Sequence, residues 1–550
     1  MISATQVLLY LPVFCVCWLA VSVTRRWIRQ APLHKIPGPP RLSLINGNLK
    51  QIFDINRGMS FHTNIIQTYG RIIRIWGLLG DTQLYISDPK ALHNILIKDQ
   101  YVFEETSGFI VSNRIFFGMN LTGTLGEHHR RQRKLLNPVF SAAHMRYMIP
   151  VFYKITHQLC DIIKAKTSDG PRELDIMEWM GRVALELVGQ GGLGYSFNAL
   201  DENVKNAYAE AARGFTPALA KVEFYRPFLP LVVPIVPAWV RRWLAKNLPW
   251  KDLNNVTEIV DIMNETSIKI LEEKKKALQK GDDAVVHQVA EGRDIMSILL
   301  QANISASEDM KLPESEILAQ MSLLIFAAMD TTSSALTRIL HVLSENQDVQ
   351  DKLREEVLNA YKSSESGDLD YDTLHELPYL EAVCRETLRL YSPVLIMSRT
   401  ARKDIMVPLD VPTTIGNSEV SEMFIPEDTT IYIGIRAINT DPLIWGPDAN
   451  EWKPERFLNP LPESVTDAKV PGVYANLLTF LGGGRACIGF KFSQMEMKIV
   501  LSLLISTFKF TPSKKSVSWK LGGVLLPMEE GSLTPSLPLV VSLVKETGKN

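Results

Sequence analysis

Apolar residues in this chain fall into runs of three kinds, and each kind predicts a different element. The first run is unbroken, with no charged side chain before Arg25. Ala4 to Val23 is about 20 residues long, close to what a helix needs to cross hydrocarbon. The second kind sits inside a longer helical pattern. ESEILAQMSLLIFAAMDTTSSALTRILHVLSEN reads as one helix over Ser315–Ser344. Its apolar stretch, Met321–Met329, is too short to span a bilayer, so a buried core helix is expected. The third kind is broken by proline. FLPLVVPIVPAWV, Phe228–Val240, holds Pro230, Pro234 and Pro237 and cannot form a spanning helix. TLHELPYLEAVCRETLRLYSP predicts a further helix, EHHRRQRKLLNPVF (Glu127–Phe140) a strongly basic one, and a long apolar helical run follows Cys487.

The N-terminal run is followed at once by Arg25, Arg26 and Arg29, with Trp18 and Trp27 close to that boundary. Positive charge on the C-terminal side keeps the body of the protein cytosolic. A cleaved signal peptide is the competing reading, but no basic segment precedes the run and no small-residue cleavage site follows it. IPGPP, Ile36–Pro40, cannot continue a helix and makes a stiff elbow. Beyond residue 40 there is no low-complexity linker or internal repeat, so 550 residues read as one large, mostly helical domain rather than several. The expected organisation is an anchor over residues 1–24, a basic and proline-rich hinge over 25–40 and a catalytic domain over 41–550.

Charge is balanced, with 59 basic and 60 acidic residues, so nothing global points to nucleic acid. The five cysteines (Cys15, Cys17, Cys160, Cys384, Cys487) are scattered and odd in number, which suits a reducing compartment. Sequons at Asn120, Asn255, Asn264 and Asn303 stay idle if the domain faces the cytosol.

The densest chemistry lies in FLGGGRACIGF, Phe480–Phe490. Cys487 stands in a turn whose glycines, Gly482, Gly483, Gly484 and Gly489, let the backbone fold tightly, with Arg485 as a neighbouring cation. No second cysteine is near, which disfavours zinc and a disulfide. A lone thiolate on haem iron fits, because it pushes electron density onto the iron and favours O–O cleavage. The spacing F-x-x-G-x-R-x-C-x-G is met by Phe480, Gly483, Arg485, Cys487 and Gly489. It resembles the haem-binding loop of the cytochrome P450 superfamily.

Further motifs carry the same resemblance in the family's order. AAMDTT resembles the oxygen-activating segment, which implies that Thr331 hydrogen-bonds dioxygen at the haem and Asp330 relays protons. Where the family usually has glycine this chain has Ala328, one methyl more, so a similar groove with slightly less room is expected. A threonine bonded back to its own helix carbonyl is the plainer reading of Thr331. Glu386 and Arg389 form E-x-x-R, a pair that shares a helix face. With Arg456 of KPERF they match the family's buried charge network beneath the cysteine loop, costly to break. His129 and Arg133, four apart, match residues that hold a haem propionate, and Arg399 is a further candidate. Arg130, Arg131 and Lys134 would then face an acidic electron donor. Ser107–Asn120 occupies the place of the variable substrate-contacting loop, with Phe109, Phe116 and Phe117 giving an aromatic pocket. Phe228–Val240 either dips into the bilayer or is a buried apolar loop.

The resemblance covers the chain from the hinge onward and is closest to fungal microsomal members. It implies the family's mainly α fold with small β-sheets, preceded by one transmembrane helix. It implies haem b with Cys487 as the metal ligand, and a monooxygenase acting on a hydrophobic compound, such as a terpenoid or other secondary metabolite or an aromatic xenobiotic. Electrons would come from an NADPH-dependent flavoprotein reductase, with cytochrome b5 as a further donor. The implied location is the endoplasmic reticulum membrane, single-pass, with the catalytic domain in the cytosol. Two alternatives are a haem-thiolate isomerase or dehydratase that needs no reductase, and a haem-binding sensor. The Asp330–Thr331 pair and the anchor argue against the first. The second predicts a lost acid–alcohol pair, which the sequence does not show.

Overall fold

The computed structural model describes residues 21–204, 206–279, 294–308, 310–365, 367–532 and 534–544. Most of the expected anchor, residues 1–20, lies outside them. Residues 21–29 are helical and run into a short 3-10 helix, Ala31–Lys35, which gives way to extended backbone at Ile36 as the prolines require.

The core helix expected over Ser315–Ser344 spans Glu314–Glu345. Pro313 precedes it in extended conformation, and Glu314 and Glu316 in its first turn favour its positive end. It is long and apolar enough to cross a membrane, yet 67% of its apolar window is buried inside the protein. It is therefore the hub of the core. Helices Ile176–Leu187, Ala207–Val222, Lys251–Gln279, Pro378–Leu390 and Phe490–Thr507 all pack against it.

Three expected elements differ in detail. TLHELPYLEAVCRETLRLYSP is two helices, Tyr371–Glu376 and Pro378–Leu390, because Pro378 forces Leu377 out of the helical region and then serves as a first helical residue. The basic segment is helical over Gly126–Leu136 and tightens to a 3-10 turn, Asn137–Phe140, at Pro138. Ser107–Asn120 is not a loop throughout. Ser107–Phe117 forms a helix capped by the Thr106 hydroxyl, which accepts from the Phe109 N–H, and closed by Gly118 at φ 84°. The proline-broken stretch is, as expected, no spanning helix. It consists of a 3-10 turn Glu223–Phe228, a single turn Leu229–Val232 and a helix Ala238–Asn247.

Sheets are small and peripheral. The largest has five strands in the order Ile72–Trp76, Thr82–Ile86, Thr430–Gly434, Ile396–Ala401 and Phe103–Glu104, with only the second and third parallel. Its register places Arg399 opposite Ile431, one residue from Thr400, which pairs with Glu104. The architecture is mainly α with small sheets, as expected. Cys160, Cys384 and Cys487 are free, so no disulfide joins the described residues. Asn120 is fully buried, with its side-chain oxygen accepting from Gly123 N–H, which closes that sequon to modification.

Candidate active site

The cysteine loop is shaped by backbone approaching backbone. Gly483 sits at φ +69°, and a Cβ there would lie 1.9 Å from the Leu96 carbonyl oxygen. At Gly482 a Cβ would lie 1.5 Å from the Pro471 carbonyl oxygen. No other residue fits either position. The Gly484 N–H donates to Gln100 Oε1 at 2.7 Å, and the Cys487 N–H closes the turn on the Phe480 carbonyl at 2.8 Å. Helix Phe490–Thr507 begins at once, with Gly489 as its cap, so the sulfur stands at a positive helix end. Cys487 keeps exposed surface at the end of this turn. Burial pushes its thiol up, while a Gly489 backbone hydrogen bond and the Arg133 guanidinium favour the thiolate.

Four basic groups gather at this loop, Arg485 from the loop itself and His129, Arg133 and Arg399 from two other elements. Arg133 donates to the Ala486 carbonyl at 2.7 Å, tying helix Gly126–Leu136 to the residue before Cys487. Arg485 donates to the carbonyls of Thr124 (2.8 Å) and Leu121 (3.3 Å). Arg399 pairs with Glu105 at 2.8 Å, and its other terminal nitrogen is buried without a partner. His129 is buried among them and pushed down to about 3, by desolvation first and then by Arg485, Arg133 and Arg399. Sequence reasoning missed Glu105. Buried cations with an unsatisfied donor call for an anion.

On the core helix the plainer reading of Thr331 is realised: its hydroxyl donates to the Ala327 carbonyl at 2.8 Å. Ala327 is nevertheless exposed and Ala328 half-buried within an otherwise buried stretch, so a groove opens along this face. Asp330 is buried and accepts a hydrogen bond from Thr216 on helix Ala207–Val222. Desolvation pushes its carboxyl up to about 7, against the pull of Thr216. Two residues on from Asp330, Thr332 donates to Ser493 at 3.2 Å, which links this helix to the one that follows Cys487.

Aromatic residues gather beside the groove. Phe117 stacks on Phe326 at 5.3 Å, and Phe215 meets Phe116, Phe117 and Phe326 edge-on at 5.6, 5.6 and 4.9 Å. Phe109, expected in the same pocket, lies instead beneath the Arg226 guanidinium at 4.8 Å. Nothing local in the sequence marked Phe215 or Thr216, whose partners lie about a hundred residues away.

Beneath the cysteine loop Glu386 and Arg389, both fully buried, form a two-pronged pair at 2.7 and 2.8 Å. Arg456 approaches the same carboxylate at 3.4 Å and also pairs with Asp448 at 3.0 Å. Arg389 further donates to the Asn439 carbonyl at 2.9 Å, and the Asn439 side chain binds Leu478 N–H and Thr479 hydroxyl, next to Phe480. The three residues expected as an ion network are thus brought together. Asp448, held down to about 2 by Lys453 and Arg456, is a fourth member.

A family model described as cytochrome P450 matches residues 37–535. The chain belongs to the cytochrome P450 family. It is 48% identical to cytochrome P450 monooxygenase 212 of Postia placenta, over 96% of this chain and 98% of that one. Ganoderic acid synthetase of Ganoderma lucidum is 42% identical, over 95% and 96%. The cofactor of this P450 is haem, its iron held by a cysteine thiolate, and the enzyme is a monooxygenase. That sets aside the isomerase and sensor alternatives. The residues present fit the group: haem carries two carboxylates, and the orphaned Arg399 nitrogen among three guanidiniums is a buried cationic site short of anion. Among the described residues no cluster of three His, Cys, Asp or Glu could hold a metal ion, so no competing centre is present there.

Proposed function

We propose that Cys487 would supply the thiolate that holds the iron of a haem b monooxygenase, which inserts one oxygen atom into a hydrophobic substrate. The observation that carries this reading is the Arg133–Ala486 hydrogen bond, which joins the cation cluster to the backbone beside the cysteine. His129, Arg133, Arg399 and Arg485 hold the haem carboxylates. Phe480, Gly483 and Gly489 shape the loop that presents the sulfur, and Glu386, Arg389 and Arg456 fix the core under it. The bound haem supplies dioxygen activation, electron storage and oxygen transfer.

The rest is done by this chain's side chains. Thr331, its own proton engaged at the Ala327 carbonyl, offers lone pairs to the groove and so orients a hydrogen-bond donor there. Asp330, a carboxyl poised near neutrality, holds and releases protons on the same turn. The aromatic group Phe116, Phe117, Phe215 and Phe326 excludes water and selects an apolar substrate. Kinship with a relative named for ganoderic acid synthesis supports a secondary metabolite, such as a terpenoid, as that substrate.

Electrons come one at a time from an NADPH-dependent flavoprotein reductase, with cytochrome b5 as a second donor, docking on the basic face that bears Arg130, Arg131 and Lys134. The chain is anchored in the endoplasmic reticulum membrane by residues 1–24 and a hinge over 25–40, with the catalytic domain over 41–550 in the cytosol. Exposed Leu231, Ile235, Trp239 and Trp243 support a second membrane contact by the proline-broken segment. The deciding experiment is spectroscopic. Reduced protein with carbon monoxide should show the red-shifted Soret band of a thiolate ligand, and Cys487→His should lose it while retaining haem. Persistence of that band in Cys487→His rules out Cys487 as the ligand.

A further inference from the structure

Asp330 is a buried carboxyl whose hydrogen-bond partner comes from another helix. That partner, Thr216, is itself buried and stands between two informative neighbours. Phe215 belongs to the aromatic group over the groove. Pro217 lies inside helix Ala207–Val222 and has no N–H, so the preceding turn lacks one helical hydrogen bond and is the weak point of that helix.

We propose that Thr216 is the positioning residue for Asp330, holding its carboxyl towards helix Ala207–Val222. This rests on the reading of Asp330 as the proton donor.

Among the described residues no other charge bears on the Asp330 carboxyl: Glu496 and Lys498 on helix Phe490–Thr507 and Glu386 and Arg389 on helix Pro378–Leu390 are buried but do not contribute. On helix Ile176–Leu187, Arg182 pairs with Glu178 at 2.8 Å and Glu186 accepts from Gln190. On helix Ala207–Val222, Arg213 turns to Glu178 and Lys221 to Asp252. On helix Lys251–Gln279, Lys274 and Lys275 pair with Asp294 and Glu314. Burial and Thr216 are the influences that bear on the Asp330 carboxyl. The hydroxyl donates to the ionised form and favours it, so its loss must raise the carboxyl further.

The test uses full-length holoenzyme and infrared spectra collected as a function of pH, with Asp330→Asn subtracted to isolate the Asp330 carboxylic-acid band. Thr216→Val, which keeps shape and removes the donor, should move the midpoint of that band up by about 1–2 pH units, the loss of one charge-assisted hydrogen bond. Thr216→Ser should restore it, which a purely packing role would not achieve. A midpoint unmoved in Thr216→Val overturns the inference. NADPH oxidation with reductase, in water and in deuterium oxide, tests the underlying reading separately. If Asp330→Asn leaves the rate and its solvent isotope effect unchanged, Asp330 is not the proton donor and the inference falls with it. If Asp330→Asn changes them while Thr216→Val titrates like the parent, only the role of Thr216 is refuted.

Discussion

The buried charge network offers the sharpest quantitative test, because its carboxylate is fully enclosed and its partners are all named. Glu386 accepts from both arms of Arg389, from the Lys453 N–H at 3.0 Å and from Arg456 at 3.4 Å. Glu386→Gln keeps the shape but removes the charge, leaving Arg389 buried and facing an amide that offers one acceptor oxygen in place of two. Breaking a buried ion pair on one side costs about 3–5 kcal/mol. For roughly 500 ordered residues the entropy of unfolding is about 1 kcal/mol per degree, so the melting temperature should fall by only about 3–5 °C. Haem retention should suffer more than melting suggests, since Arg389 reaches Leu478 and Thr479, next to Phe480, through Asn439. The assay is denaturant unfolding of Glu386→Gln, Arg389→Met and the double variant, with the carbon monoxide band measured in parallel. Residues in one network should be strongly non-additive, the double variant costing less than the sum of the singles. Additivity to within about 0.5 kcal/mol would show that the pair is not coupled and that the argument from geometry fails.

Two further outcomes follow from the cleft. Thr331→Ala should still bind and reduce haem but should release more peroxide or water per NADPH, with the productive rate down by as much as about 10²–10⁴-fold where water does not substitute. Unchanged coupling with a turned-over substrate would remove Thr331 from the chemistry. Gly483→Ala places a methyl 1.9 Å from the Leu96 carbonyl oxygen at φ +69°, so it should yield protein lacking the carbon monoxide band, and normal haem loading would contradict the backbone argument.

Much of this site was legible because its determinants are local. The glycines around Cys487 are needed by one turn, and Glu386 and Arg389 meet because three residues advance a helix by nearly one turn. Core burial of Glu314–Glu345 followed from the shortness of its apolar stretch. What stayed hidden was set by tertiary contact. The resemblance implies a loop at Ser107–Asn120, yet Ser107–Phe117, capped by Thr106 and closed by Gly118, is a helix. Phe109 was grouped with Phe116 and Phe117 by proximity in sequence, but it lies two helical turns, about 10 Å, from Phe116 along the axis, where Arg226 covers it. Thr216 and Glu105 carry no motif at all. Their roles arise only because helix Ala207–Val222 and strand Phe103–Glu104 are brought against Asp330 and Arg399.

The degree of hydrogen-bond satisfaction separates the buried charges of this P450 into two classes. Glu386 and Arg389 have their polar atoms engaged, which is what a charge retained for structure requires, since a half-satisfied pair would be worse than an apolar one. Arg399 keeps one nitrogen orphaned, and the Asp330 carboxyl takes its hydrogen bond from Thr216 on another helix. Folding alone would not tolerate such groups at no gain, because each unsatisfied buried atom costs about 1–3 kcal/mol. They are the positions where local rules are broken, and such breaks concentrate where a protein binds or reacts. Arg399 has capacity to spare for a carboxylate brought by the cofactor, and Asp330 for a proton that must arrive and leave.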